Sequence, residues 1–153
     1  NVEDLDLVPL VLQLIEETSV GYPDMRVTHE LPQRLSVPAD PGRLSQLVSN
    51  LLSNARHHGD GVVHVTLREN DGHALLEVSN RAPAIAEDDA GSLFNPFKRQ
   101  SLGKAGNRSG MGLGLYIASQ IAQSHRGSIA YRYRDDAGLV VFDVRLPLRP
   151  SEP

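Results

Sequence analysis

The fold class this sequence predicts is a two-layer α/β sandwich, with helices covering one face of a sheet, and three observations predict it. Stretches of helical period are interleaved with stretches in which apolar and polar residues alternate. The two longest alternating stretches are joined by Asp71-Gly72, a strong hairpin signal, so at least part of the sheet is antiparallel. Between Arg81 and Gly110 the periodicity vanishes in a run rich in Gly, Pro, Ser and Asn, and a loop of that length in a compact domain is usually functional.

Each element follows from its residues. Asp6, Leu7 and VPLVLQLIEETS read as a short extended lead into a first helix, with Pro9 tolerated in the opening turn. MRVTHELP and LSVP read as strands around a turn. The next helix opens at DPGRL, where Asp40 is a cap and Pro41 takes the first helical position. VVHVTLREN and HALLEVSN form the hairpin over Asp71-Gly72. MGLGLYIASQIAQSH is a helix with glycines at its start, and SIAYRYR with LVVFDVRLPL closes the chain as a second hairpin.

Composition narrows the function. The 153 residues, 40% of them hydrophobic, suffice for a single domain with its own core. With 15 basic and 19 acidic residues well mixed, for a net charge of −4, neither a nucleic-acid footprint nor a basic membrane patch is expected. The absence of cysteine removes thiol chemistry and fits a reducing compartment. No apolar run reaches membrane-spanning length. The start at NVEDLDLVPL and the end at PLRPSEP suggest a piece of a larger protein.

Two groups of residues stand out. In QLVSNLLSNARHHG, Leu47, Val48, Leu51, Leu52 and Ala55 form an apolar face, while Asn50 and Asn54, four residues apart, stack on one side. Asn is a mediocre helix former and costs free energy when buried, so the pair is either solvated surface or a polar platform aimed at a ligand. GMGLGL, Gly110 to Leu115, is a glycine-rich turn opening a helix, where free backbone N–H groups can meet phosphate oxygens. Glycines in such a place are also common packing and turn residues. No Lys-Ser/Thr pair follows and no strand immediately precedes, so the P-loop and dinucleotide-binding patterns fail.

Taken in order, the Asn-x-x-x-Asn helix, LEVSNRAPAI, LFNPFKR, a loop and GMGLGLYIASQIAQSHRGSI resemble, over nearly the whole chain, the catalytic ATP-binding domain of sensor histidine kinases. That family belongs to the GHKL superfamily, with gyrase-type and heat-shock-type ATPases. The resemblance implies a Bergerat-type sandwich: a mixed, mostly antiparallel sheet, covered on one face by about three helices, with an ATP lid. It implies one catalytic domain over residues 1–153, in which 1–6 are a remnant of a linker from an upstream dimerisation domain and 148–153 a tail.

The resemblance also assigns residues. Asn54 falls where the family ligates the Mg²⁺ bridging the ATP phosphates, with Asn50 beside it, and amide oxygens suit that ion. Relatives that hydrolyse ATP usually carry Glu at the place of Asn50, and an amide cannot take a proton from water, so transfer is expected rather than hydrolysis. His57 and His58 fall on a basic residue near the phosphates and a ring near the adenine. Adjacent helical side chains diverge by about 100°, so the two are a poor chelating pair, and a surface histidine is an equal reading for each.

SNRAPAI departs from the family's Asp-x-Gly-x-Gly. Asn80 stands for the Asp that accepts from the adenine amino group, which an amide oxygen can still do, as in phytochrome-like histidine kinases. Ala82 and Ala84 replace the glycines, and alanine is compatible there only where φ is negative. Ile85 completes this part of the implied ATP site. In LFNPFKR, Phe94 and Phe97 would anchor the base of the lid or simply sit in the core, and Arg99 could reach phosphate. The lid is expected over Gln100 to Ser109, with Lys104 and Arg108 as phosphate contacts, and Gly110, Gly112, Leu113, Gly114 and Leu115 as the turn beneath. In AGLVVFDVRLP the family's Gly-Thr is altered, with the glycine one residue early and no Thr.

The implied function is that the chain binds Mg-ATP and donates the γ-phosphoryl group to a histidine on a separate helical dimerisation domain, from which a response regulator is served. A cytoplasmic setting, without direct membrane or nucleic-acid contact, is implied with it. A degenerate nucleotide site that acts by docking to a partner is the rival, favoured by Ala82 and Ala84, and an ATP hydrolase is a third reading, disfavoured by Asn50. The triplet His29-Glu30-Leu31 resembles the phosphoacceptor box of these kinases, but it lies in a predicted strand without a helical hairpin around it, so His29 is read as a strand residue.

Overall fold

The computed structural model describes residues 1–95 and 109–149. Strand β1 (Glu3–Asp6) leads into helix α1 (Leu7–Gly21), followed by β2 (Arg26–Glu30), β3 (Ser36–Ala39), α2 (Pro41–His58), β4 (Val62–Asn70), β5 (His73–Arg81), a single turn α3 (Glu87–Ala90), α4 (Ser109–Ser124), β6 (Ser128–Arg134) and β7 (Leu139–Pro147). The main sheet has the order β2-β4-β5-β7-β6, with β2 and β4 parallel and the remaining pairs antiparallel. This is the mixed, mostly antiparallel sheet that was expected, packed beneath α1, α2 and α4.

Register builds the core in rows. Leu67, Leu76, Val144 and Ile129 lie side by side across four strands, as do Val65, Val78, Phe142 and Tyr131. A period of two turns all of these to one face. The third row is Val63, Asn80, Val140 and Tyr133. An amide therefore interrupts an otherwise apolar face, one row from the end of β5. The hairpin at Asp71-Gly72 has φ of 54° and 77°, the left-handed pair that a two-residue primed turn requires and that glycine adopts without strain.

The helices bury the stripes their sequences carry. Leu7, Val11 and Ile15 recur every four residues on α1, and Leu44, Leu47, Val48, Leu51, Leu52 and Ala55 line α2. A fully buried Leu of this kind contributes about 2 kcal/mol. Asp40 caps α2, its carboxylate accepting from the Gly42 and Arg43 N–H groups at 3.0 and 3.2 Å. Those bonds, the Arg43 amide above all, hold its carboxyl below the usual value. The Asp40 N–H in turn donates to His125 Nε2 at 3.1 Å, joining the start of α2 to the end of α4.

Two details differ from the sequence reading. The segments read as strands around a turn do not pair with each other: β3 pairs with β1 in a separate two-stranded sheet, and β2 joins the main sheet beside β4. Residues 3–6 are thus a strand, and Asp6 caps α1 through the Val8 N–H while also accepting from Leu35 N–H. Near the other end, the Leu148 N–H donates to the Gly72 carbonyl. Within the aperiodic stretch, Glu87–Ala90 forms one helical turn too short for a periodic signal.

Candidate nucleotide site

The amide pair of α2 faces α4. The Asn50 side chain donates from Nδ2 to the Gly114 carbonyl at 3.1 Å, which fixes the distance between the two helices at this level. One turn further on, Asn54 is only 9% exposed, and its Oδ1 is fully buried with no hydrogen-bond partner. A buried acceptor without a donor costs about 1–3 kcal/mol, so such atoms are rare in native folds. This burial excludes the surface reading for Asn54, while Asn50 is half-buried.

At the end of β5, Asn80 is 3% exposed and its Nδ2 also lacks a partner. Among the described residues there are three orphaned buried side-chain atoms, on Asn54, Asn80 and Asp143. Two of the three therefore belong to residues singled out from the sequence for ligand binding. Asn80 lies against the end of α2, because a Cβ built at Gly59, the residue that caps α2, would meet Asn80 Nδ2 at 2.6 Å. The two amides that lack partners are thus brought to one end of one helix.

The loop after β5 is held by side chains the sequence reading missed. Tyr133 donates its hydroxyl to the Ala82 carbonyl at 2.8 Å, and the Ile85 N–H donates to the Tyr131 hydroxyl at 3.0 Å. The only available signal was the Tyr-x-Tyr alternation in SIAYRYR, which sends both rings to the same face. Ala82 and Ile85 pack partly buried against the core, and Ala84 is exposed. Neither alanine has a positive φ, so the loss of glycine costs no backbone strain.

The remaining residues distribute unevenly. His57 uses both ring nitrogens locally: Nδ1 bonds the Ser53 carbonyl at 2.9 Å and so carries the proton, leaving Nε2 to accept from Arg56 at 3.1 Å. Arg56 itself stacks over the Tyr22 ring at 3.9 Å. The His58 ring lies 6.2 Å from that of His57 and tilted by 50°, consistent with neighbours that diverge around a helix. Phe94 packs edge-on against Phe142, with ring centroids 6.1 Å apart, which anchors the residues just before the expected lid. Phe97, Arg99, Lys104 and Arg108 lie outside the described residues.

GMGLGL is not a turn ahead of α4 but part of it, since the helix begins at Ser109. The amides that lack intrahelical partners are by helix geometry those of the first four residues, which include Gly110 and Gly112, and not those of Gly114 and Leu115. Leu115 is 1% exposed and is a core residue, whereas Leu113 is 55% exposed. Ser109, the expected end of the lid, is helical. His29 lies in β2, as read.

No group of three or more His, Asp or Glu placed to hold a metal ion exists among the described residues, and no helix there is long and apolar enough to cross a membrane. A cavity of about 250 Å³ opens on the uncovered face of the sheet, bounded by Val62, His64, Thr66, Glu77 and Arg132. Neither Asn50 nor Asn54 borders it.

Residues 39–150 match the family model described as histidine kinase-, DNA gyrase B-, and HSP90-like ATPase. The chain is 41% identical to a bacteriophytochrome of Pseudomonas aeruginosa over 99% of its own length and 21% of the relative's. It is 39% identical to the sensor histidine kinase TrcS of Mycobacterium tuberculosis over 95% of its length and 30% of that protein. The chain therefore spans less than a third of these relatives. The nucleotide-free catalytic domain of the histidine kinase ThkA superimposes with a TM-score of 0.83 at 23% identity, covering 99% of each chain, and shares the fold. The α2 amides, the β5 loop and α4 all lie in the matched segment, and this chain belongs to the family of histidine kinase-, DNA gyrase B-, and HSP90-like ATPases.

Proposed function

We propose that the chain is the part of a sensor kinase that binds Mg-ATP and presents its γ-phosphoryl group to a histidine on a separate helical dimerisation domain. The observation that carries this reading is the orphaned Oδ1 of Asn54, an oxygen desolvated and left without a donor in the helix the family uses for nucleotide. An amide oxygen of that kind suits a hard cation that keeps phosphate and water as its other ligands, so Asn54 fits Mg²⁺. The ion supplies charge neutralisation at the phosphates.

The protein's own residues do the rest by positioning. Asn50, engaged with the Gly114 carbonyl, holds α4 against α2 and offers no base for water, which supports transfer over hydrolysis. Asn80 accepts from the adenine amino group through Oδ1, and the tyrosine-held loop carries Ala82 and Ile85 beside it. In the reaction the bond from the γ-phosphorus to the ADP oxygen breaks as a bond to the acceptor imidazole nitrogen forms, and this requires in-line approach at near contact. His29 in a strand and His57 with both nitrogens engaged are not in a position to serve as that acceptor. The acceptor, the response regulator served by it and a cytoplasmic setting belong to the whole protein.

The test is incubation with γ-labelled ATP. The isolated chain stays unlabelled and releases little phosphate, and adding the upstream helical domain as a separate chain puts label on that domain. Label on His29 of the isolated chain would overturn the assignment. An ATP titration that shows no binding with or without Mg²⁺ would favour the docking-module reading instead.

A further inference from the structure

Gly59 ends α2 with φ −122° and ψ −169°, extended backbone that any residue can adopt. Its lack of a side chain therefore answers a need for space. A Cβ at this position would lie 2.6 Å from Asn80 Nδ2, 3.1 Å from Asn80 Cβ and 3.0 Å from the Ala55 carbonyl oxygen. The first of these contacts is closer than carbon and nitrogen tolerate, and the third is to backbone that cannot swing aside. Asn80 cannot retreat either, since it is almost wholly buried in the row between Val63 and Val140.

The same geometry orients the amide. The carbonyl of Ala55 borders the space beside Gly59, and an acceptor there repels Oδ1 and tolerates Nδ2. The donor end of Asn80 is turned to the helix end, and the acceptor end faces away from it. We infer that Gly59 is a specificity-determining positioning residue: the space it leaves lets the Asn80 carboxamide lie against α2 with Oδ1 free for the exocyclic amino group of a purine. This rests on the reading of Asn80 given above. It ties two positions that are distant in sequence, so that what residue 80 can recognise is decided in part by the size of residue 59.

A double-mutant cycle over Gly59→Ala and Asn80→Ser tests it, reading ATP and GTP affinity by calorimetry and thermal stability without nucleotide. Gly59→Ala alone is expected to weaken ATP about tenfold or more and to erase the preference for ATP over GTP, because it displaces the group that reads the base. In the Asn80→Ser background the contact with Nδ2 is gone, so Gly59→Ala leaves nucleotide affinity unchanged, while the tight contact with the Ala55 carbonyl oxygen remains and lowers the melting temperature less than Gly59→Ala does in the wild-type background. Additive losses of ATP affinity overturn the proposal, because they mean that Gly59 acts independently of Asn80. Should Gly59→Ala not fold, the comparison of Asn80→Ser with the double variant decides, and any further loss of ATP affinity in the double variant overturns it. Wild-type protein that binds ATP and GTP equally overturns the reading of Asn80 itself, an outcome distinct from selective wild-type binding with an additive cycle.

Discussion

The Tyr133 hydroxyl reaches across from β6 to donate to the Ala82 carbonyl at 2.8 Å, and it does so from the same row of the sheet that carries Asn80. Residue 80 and the loop that follows it are thus positioned by one strip of the sheet. With Tyr131 accepting from the Ile85 N–H, side chains hold the loop at both ends of its first turn, and the Ala82 N–H adds a backbone bond to the Gly138 carbonyl at 3.2 Å.

Removing that hydroxyl alone separates positioning from packing. Tyr133→Phe keeps the ring and loses one hydrogen bond, worth about 1 kcal/mol, so ATP affinity should fall about fivefold while the fold is retained. Tyr131→Phe should behave alike, and the pair together should lose more than either. Calorimetric titration of ATP into the variants measures this. Unchanged affinity in both would mean that the loop holds its shape without them.

How much of this could be read from sequence depends on the range of the interaction. The cap at Asp40, the stripe of α2 and the left-handed turn at Asp71-Gly72 are local, and each was legible because its cause lies within a few residues. Asn50 and Asn54 were legible as a pair for the same reason, but their burial was not, because it depends on α4 arriving from a segment 60 or so residues away. The pairing of β1 with β3 and the parallel pairing of β2 with β4 escaped because short strands carry no signal of their partner. Gly59, Tyr131 and Tyr133 escaped for a related reason: each acts on a residue in another element, and nothing in its own neighbourhood marks it.

The uncovered face of the sheet carries an acid pair whose behaviour with pH is testable. Arg132 donates to Asp143 Oδ2 at 2.8 Å and to Glu77 Oε2 at 2.7 Å, Thr66 donates to Glu77 Oε1 at 3.0 Å, and Asp143 Oδ1 is buried without a partner. Burial pushes the Asp143 carboxyl up, the Arg132 hydrogen bond opposes it and the neighbouring Glu77 adds to it, leaving it above its ordinary 3.8. Burial acts on Glu77 in the same sense, but Asp143 beside it and the hydrogen bonds from Arg132 and Thr66 outweigh it and hold Glu77 below its ordinary value. The contribution of a raised carboxyl is fully present below its unfolded pKa and is lost as pH rises through the folded one, and that of Glu77 runs the other way. Asp143→Asn, which keeps an acceptor for Arg132 and a donor toward Glu77 at every pH, should be more stable than wild type at neutral pH. The difference should shrink as the pH falls through the raised pKa of Asp143. Urea denaturation across that range measures it, and a gain that persists undiminished in acid would contradict the assignment.

Arg126 offers a prediction about stability alone. It follows α4 with φ of 63°, a left-handed conformation that costs a residue with a side chain about 1–2 kcal/mol. It is held there because the Gly127 N–H must return to the Ala122 carbonyl at 2.8 Å to finish the helix. Arg126→Gly relieves the strain but gives the unfolded chain more freedom, for a net gain of roughly 0.5–1 kcal/mol. The melting temperature should rise by about 2 °C with ATP affinity unchanged. A drop on substitution would show that the Arg126 side chain makes a stabilising contribution larger than the strain.

The sharpest separation of function from stability is at Asn54. A structural amide in a helix interior is expected to be hydrogen-bonded, and its removal then destabilises the fold by leaving its partner unmatched. Asn54 Oδ1 has no partner to leave, so Asn54→Ala removes a desolvated acceptor whose burial costs about 1–3 kcal/mol. The small cavity that results works against this, and the ligand-free protein should come out as stable as wild type or more so. Nucleotide binding should move the other way. If the oxygen serves the ion at the phosphates, the variant loses ATP affinity when Mg²⁺ is present and little when it is chelated, and transfer to the acceptor domain is abolished. The two measurements together are diagnostic, since a destabilised fold weakens binding in both conditions and a lost metal ligand in one. Equal weakening with and without Mg²⁺, or a clear loss of stability in the ligand-free variant, would remove Asn54 from the metal and return it to the packing of α2 against α4.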